Sequence, residues 1–202
     1  VGLDTRISLD RVRATLAHEI GTHIVTHYNG SQQPFRELYA GMAGYEPLQE
    51  GLAVLAEYLS DELSHTRMRL LAGRVVAVDM MCNGADFIES FHGMVNGYGF
   101  SQASAFTICM RVYRGGGYTK DFIYLQGLVK VLDYLAAGKQ LEQLYIGKIN
   151  YEHLDFIEEL QWRKVLIAPR LRPRFLTDPR TASRLKQLRQ GKNIVQIMRE
   201  AS

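Results

Sequence analysis

The sequence predicts a mostly α protein with minor β, built as a single domain. Apolar residues recur at helical spacing along most of the 202 residues. Helix start and stop signals punctuate the chain at short intervals. Strand-like runs are few, residues 6–8 and 145–149 being the best of them. Hydrophobic residues at 47% and charged residues at 22% are ordinary for a soluble globular chain. The length suffices for one sizeable core. No apolar run approaches the roughly 18 residues that a membrane span needs, so no membrane role is expected. The chain opens on Val1 with no secretory leader pattern, as fits a piece of a longer protein. Its two cysteines, Cys82 and Cys109, sit in apolar helical patterns and read as buried thiols of a cytoplasmic protein.

The elements follow in order. Ser8 suits a helix N-cap, and Asp10 favours the first turn through the helix dipole. That helix runs from Leu9 to His27 and stops at Asn29-Gly30. Residues 31–45, with Pro34, Gly41 and Gly44, read as a loop. Pro47 opens a second helix, PLQEGLAVLAEYL. Ser64 caps a third, which closes near Asn83-Gly84. Two more occupy 85–97 and 101–113, followed by a tight loop, RGGGY, at 114–118. Thr119 caps an amphipathic helix that ends at Gly138, and Asn150 caps another through Trp162. Residues 168–179 carry three of the five prolines and read as an extended wrap. Two short basic helices finish the chain.

Charge is uneven. Residues 169–202 hold nine Lys/Arg and two acids, a net +7, against +3 for the whole chain. Residues 176–202 are therefore read as a basic helical tail packed on the domain formed by residues 1–175. The tail is either a solvated face or a contact for an acidic partner; nucleic acid is the less expected one.

The stretch HEIGTH, residues 18–23, poses the chemical question. It is one residue longer than HExxH. On a regular helix each residue turns about 100°, so histidines five apart diverge by roughly 140°. A π-bulge restores their common facing, and such bulges gather at functional sites. Gly21, which costs a plain helix about 1 kcal/mol, favours that reading. The segment is thus expected to be helical but irregular at 19–23. A hydrolytic zinc site needs three protein ligands, an open position and a nearby base. Either the pair is an ordinary His-Glu pair on an exposed helix, or His18 and His23 offer two ligands and Glu19 the base. Glu50, in LQEGLA at the start of the next helix, supplies the third. His27, four residues after His23, is an alternative ligand to His18, or a favourable charge near the helix end. Glu57, seven after Glu50, either orients a histidine or makes a surface ion pair.

These strings resemble one family throughout. HEIGTH, QQPF (32–35), GYEPLQEGLAVLAEYL, LLAGRVVAV and RVYRGGGYTKDFIYLQGL occur in order over about residues 1–175. In bacteria its members are called flavohemoglobin expression-modulating QEGLA-motif proteins. Their animal relatives are microtubule-associated tyrosine carboxypeptidases, which remove the C-terminal tyrosine of α-tubulin. The resemblance implies an HExxxH zinc site in a zincin-like helical metallopeptidase domain. It maps His18, His23 and Glu50 onto the Zn²⁺ ligands and Glu19 onto the catalytic glutamate. It implies a peptide or protein C-terminus as substrate, and fixes the reaction class rather than that substrate.

A carboxypeptidase must hold a terminal carboxylate, best with an arginine fork. Arg111, Arg114 and Lys120 flank the glycine loop, whose amides also suit an anion. Tyr124, Tyr113 and Tyr118 are candidate donors to the oxyanion of the tetrahedral intermediate. Two rivals stand beside this reading. Two histidines and a carboxylate also make the facial triad of a non-haem iron oxygenase. A non-catalytic binding module using the basic tail is the other.

Overall fold

The computed structural model describes residues 6–115 and 120–200, and among them every regular element is helical. The first helix is continuous but changes repeat. It passes from α1 (Val12–Thr15) through a π-helical segment (Leu16–Ile24) into α2 (Val25–Ser31). It therefore outruns the stop expected at Asn29-Gly30. Asn29 is buried and turned inward instead.

A short α3 (Glu37–Ala40) interrupts the expected loop before α4 (Glu46–Leu59), α5 (His65–Cys82), α6 (Phe87–His92) and α7 (Gln102–Tyr113). Ser64 caps α5 and Ser101 caps α7. Asp86 and Glu89 form a reciprocal capping box on α6. The helix α8 (Ile123–Ala136) follows the glycine loop; the cap expected at Thr119 lies outside the described residues. Then come α9 (Leu154–Trp162), α10 (Pro179–Arg189) and α11 (Ile194–Glu200). The weak strand expected at 145–149 is absent. That run ends a 3-10 turn, and Lys148 exchanges two backbone hydrogen bonds with Leu38 and Met42.

At the centre is α4, buried around nearly its whole circumference. A helix this apolar must be enclosed on all sides. It crosses α8 in backbone contact. A Cβ on Gly51 would sit 2.1 Å from the Gly127 carbonyl carbon, and one on Gly127 would sit 1.8 Å from the Pro47 oxygen. Leu48, Leu52, Leu55, Leu128 and Leu135 pack around this crossing. A second apolar cluster joins α5, α6 and α7 through Met94, Ile108 and Val112.

The proline-rich stretch wraps as expected, and two side-chain amides, one near the end of the first helix and one just beyond it, hold it. Asn29 Nδ2 donates to Leu171 O (3.0 Å) and its Oδ1 accepts from Leu171 N (2.9 Å). Gln33 does the same with Ile167, at 3.0 and 3.1 Å. The tail folds back on α4. Arg184 Nη1 donates to Tyr58 O and Thr181 Oγ1 to Leu59 O, which satisfies carbonyls at the C-terminus of α4. Arg184 also pairs with Asp61, and Lys192 with Glu200. Both cysteines are free, but Cys82 is exposed at the end of α5; Cys109 alone is buried. No helix among the described residues is long and apolar enough to cross a membrane.

Candidate metal centre and its cleft

The π-segment resolves the spacing of HEIGTH. Its hydrogen bonds close at i to i+5, so residues five apart stack as residues four apart do in an α-helix. The His18 and His23 rings lie 5.2 Å apart, edge to face, on one side of the helix. Gly21 faces away from them, against Phe175 of the proline-rich wrap; a Cβ there would meet that ring at 3.3 Å.

Opposite stands the first part of α4. His18 Nε2 is 3.4 Å from Glu50 Oε2, and His23 Nε2 is 3.9 Å from the same atom. One ligand atom from each of the three residues falls within 4.8 Å of the others. Glu50 Oε2 is buried and has no hydrogen-bond partner. A buried carboxylate oxygen in that condition suits a cation. Ligand atoms about 2.0–2.2 Å from one tetrahedral ion lie roughly 3.4 Å from each other, close to the spacing found. The residues present fit zinc.

The other ring nitrogens are tied down from α4. His18 Nδ1 donates to Glu57 Oε1 at 2.9 Å. His23 Nδ1 faces Gln49 Oε1 at 3.4 Å, and Thr26 Oγ1 reaches the same oxygen at 2.8 Å. These contacts leave both Nε2 atoms pointing at Glu50. Burial opposes charge on His18, but the neighbouring Glu50 and Glu57 carboxylates overcome it and raise its pKa to about 9. Burial dominates at His23 and lowers its pKa, with Glu50 opposing.

Glu57 is not at the surface. It is fully buried, and it also accepts from Arg11 Nη2 and Arg67 Nη2, each at 3.3 Å. Burial alone pushes its pKa up, but His18, Arg67 and Arg11 hold it below the ordinary value.

Beside the ligands lies a cleft of about 210 Å³ lined by Arg11, Thr15, His18, Glu19, Glu57, Arg67, Arg74, Arg111 and Tyr124. Glu19 therefore faces the cleft without belonging to the ligand cluster. Tyr124 stacks on His18 with ring centroids 6.5 Å apart. Burial, then Glu50, raises its pKa, so the phenol keeps its proton.

The remaining expected residues divide. Arg111 enters the cleft, bound through Nε to Asp121 Oδ1 at 2.9 Å. Arg114 is exposed after α7, and Lys120 bonds Glu46 at 2.8 Å; neither lines the cleft. Tyr113 is spent elsewhere, donating to Ala85 O at 2.6 Å. Tyr118 and Gly116–Gly117 lie outside the described residues. His27 is exposed and packs on Tyr39, apart from the cluster. Sequence reading missed Gln49, Arg11, Arg67 and Arg74. The one signal for Arg74 was a lone cation inside the apolar run LLAGRVVAV.

The family model for the microtubule-associated tyrosine carboxypeptidase matches residues 1–193. The mouse microtubule-associated tyrosine carboxypeptidase 1 is 29% identical over 175 residues, covering 81% of this chain and 36% of its own length. The rat protein of that name is 29% identical over 176 residues, with the same two coverages. The human one is 28% identical over 154 residues, covering 70% and 32%. The chain thus spans about a third of the length of these relatives. With the family model matched over nearly all of its residues, the chain belongs to the microtubule-associated tyrosine carboxypeptidase family.

Proposed function

We propose that this chain is a zinc-dependent carboxypeptidase that releases the last residue of a peptide or protein, tyrosine by likeness to its relatives. The buried, unpartnered Glu50 Oε2, faced by the Nε2 atoms of two oriented histidines, carries the proposal. His18, His23 and Glu50 would hold the ion. Zinc, when bound, supplies Lewis acidity and lowers the pKa of water to about 7.

The chain's own groups do the rest. Glu19 takes the proton of the attacking water as the new C–O bond forms. It returns that proton to the nitrogen as the peptide C–N bond breaks. The Tyr124 phenol, kept protonated, donates to the oxyanion. Guanidiniums around the cleft meet the substrate's terminal carboxylate. Two free thiols suit a reducing compartment, and the proposal places the enzyme in the cytoplasm.

The test is elemental analysis of protein purified without added metal, run beside tyrosine release from a peptide. About one zinc per chain with release is expected. Iron in place of zinc, or stoichiometric zinc without release from any free C-terminus, rejects the proposal.

Glu57 gives a second check. Glu57→Gln keeps the shape but removes the charge that His18, Arg11 and Arg67 share. Losing such a partner typically costs about 10–100-fold in metal affinity. Chelator competition should register that drop. Unchanged affinity would show that Glu57 does not set the orientation of His18.

A further inference from the structure

The first helix carries an apolar ridge that the described residues leave open. Leu16, Ile20 and Ile24, four apart, are 54%, 51% and 54% exposed. Single exposed apolar residues are ordinary, but a row of them beside a concavity marks an interaction surface. Leu16 and Ile20 wall a groove of about 980 Å³, with the proline-rich wrap and the start of α10 on its other side. The two walls meet where Gly21 faces Phe175. This groove shares no lining residue with the cleft beside the candidate metal ligands.

Charge says what kind of partner fits. Arg13, Arg172, Arg174 and Arg180 border the groove, against Glu62 and Asp178. Arg180 pairs with Asp178 at 2.8 Å, and Arg13 with Glu62 at 3.8 Å. Arg172 and Arg174 remain. Both are exposed, and neither guanidinium makes a hydrogen bond or ion pair among the described residues. Residues four apart form the ridges against which another helix packs. An apolar ridge facing two uncommitted cations is the complement of a helix with one apolar face edged by carboxylates. Nucleic acid matches less well. The groove offers it one aromatic ring, Phe175, to stack on, and two free cations neutralise few phosphates.

We propose that this groove docks an acidic amphipathic helix of a partner protein. Its apolar side chains lie on Leu16 and Ile20, and its carboxylates meet Arg172 and Arg174. Docking there leaves the cleft open and does not depend on the peptidase reading.

The probe is a peptide of about 15 residues, with leucine at helical spacing and glutamate elsewhere. It is fluorescein-labelled at its N-terminus and amidated at its C-terminus, so that it offers the cleft no terminal carboxylate. Anisotropy titration with the full chain should show saturable binding. That binding should weaken at least tenfold between about 0.1 M and 1 M salt, as the Debye length shortens from about 10 to 3 Å. Exchanging the glutamates for lysine, or the leucines for serine, should abolish it. Arg172→Glu combined with Arg174→Glu should weaken the acidic peptide at least tenfold, because like charges then meet. Leu16→Gln should weaken it about three- to tenfold through lost apolar contact. These side chains are exposed, so both proteins should fold as the wild type does by circular dichroism. Should the charge-reversed protein not fold, Leu16→Gln carries the test. A Kd above about 1 mM, equal binding of the lysine peptide, or unchanged affinity in a folded variant overturns the proposal. A single-stranded oligonucleotide that displaces the peptide and binds more tightly overturns it in favour of nucleic acid. A dimer seen by sedimentation and lost in Leu16→Gln overturns it in favour of a second copy of the chain.

Discussion

Glu19→Gln should lower turnover of a peptide with a free C-terminal tyrosine by about 10²–10⁴-fold while zinc content and fold stay unchanged. That range is what a general base typically contributes. The argument is one of position: Glu19 lines the cleft but stands outside the cluster formed by His18, His23 and Glu50. Glutamine keeps its size and polarity and removes only the proton acceptor. His23→Ala and Glu50→Ala should behave differently. Each takes one of three ligands, so metal content falls along with activity. Zinc stoichiometry measured beside turnover separates the two classes. Full activity in the Glu19→Gln protein would end the hydrolytic mechanism. Unchanged zinc in the Glu50→Ala protein would move the third ligand elsewhere.

The second large effect is expected far from any proton. Gly51→Ala should destabilise the chain by about 3 kcal/mol, at the upper end of what overpacking costs. The new Cβ would meet the Gly127 carbonyl carbon at 2.1 Å and its oxygen at 2.5 Å. Both obstacles are backbone, so no rotamer change relieves them, and α4 must move off α8. For a chain of about 200 residues this lowers Tm by roughly 6–12 °C. Metal affinity should fall too, because Gln49 and Glu50 precede Gly51 on the helix that is displaced. Gly127→Ala meets Pro47 O at the same crossing. One separation of the helices accommodates both changes, so the double variant should cost less than the two singles combined. Thermal unfolding decides it, and a wild-type Tm for Gly51→Ala would show that the crossing is not rigid.

QEGLA thus does three jobs on three successive residues, and only one of them was legible in the sequence. Glu50 could be picked out because ligand chemistry asks for a carboxylate. Gln49 holds His23 and Thr26, and Gly51 admits α8, but each of these depends on a partner distant in the chain. The irregular first helix was legible because a spacing of five has one local explanation. Glu57 was readable in principle. A helix whose other residues are almost all apolar is enclosed on every side, so a carboxylate in its middle must be buried and paired. The apolar run at 145–149 misled, since short apolar runs do not distinguish strand from turn. Asn29-Gly30 looked like a helix stop, yet Asn29 is consumed in holding Leu171, 142 residues away. Counting charges in the tail gave its sign but not its use. Arg184 satisfies the end of α4, a contact across 126 residues that no local pattern announces.

The π-segment has a bearing on how chain length is counted. It is an insertion that needs no loop, since the extra residue is taken up inside a continuous helix and both flanking faces keep their directions. A chain one residue shorter, with histidines four apart on a regular α-helix, would present the same pair to a facing glutamate. What a metal requires is the direction of two imidazoles, and two different spacings deliver it. A search that fixes the interval at four would pass over this chain, and an aligner would have to open its gap within a helix, between His18 and His23.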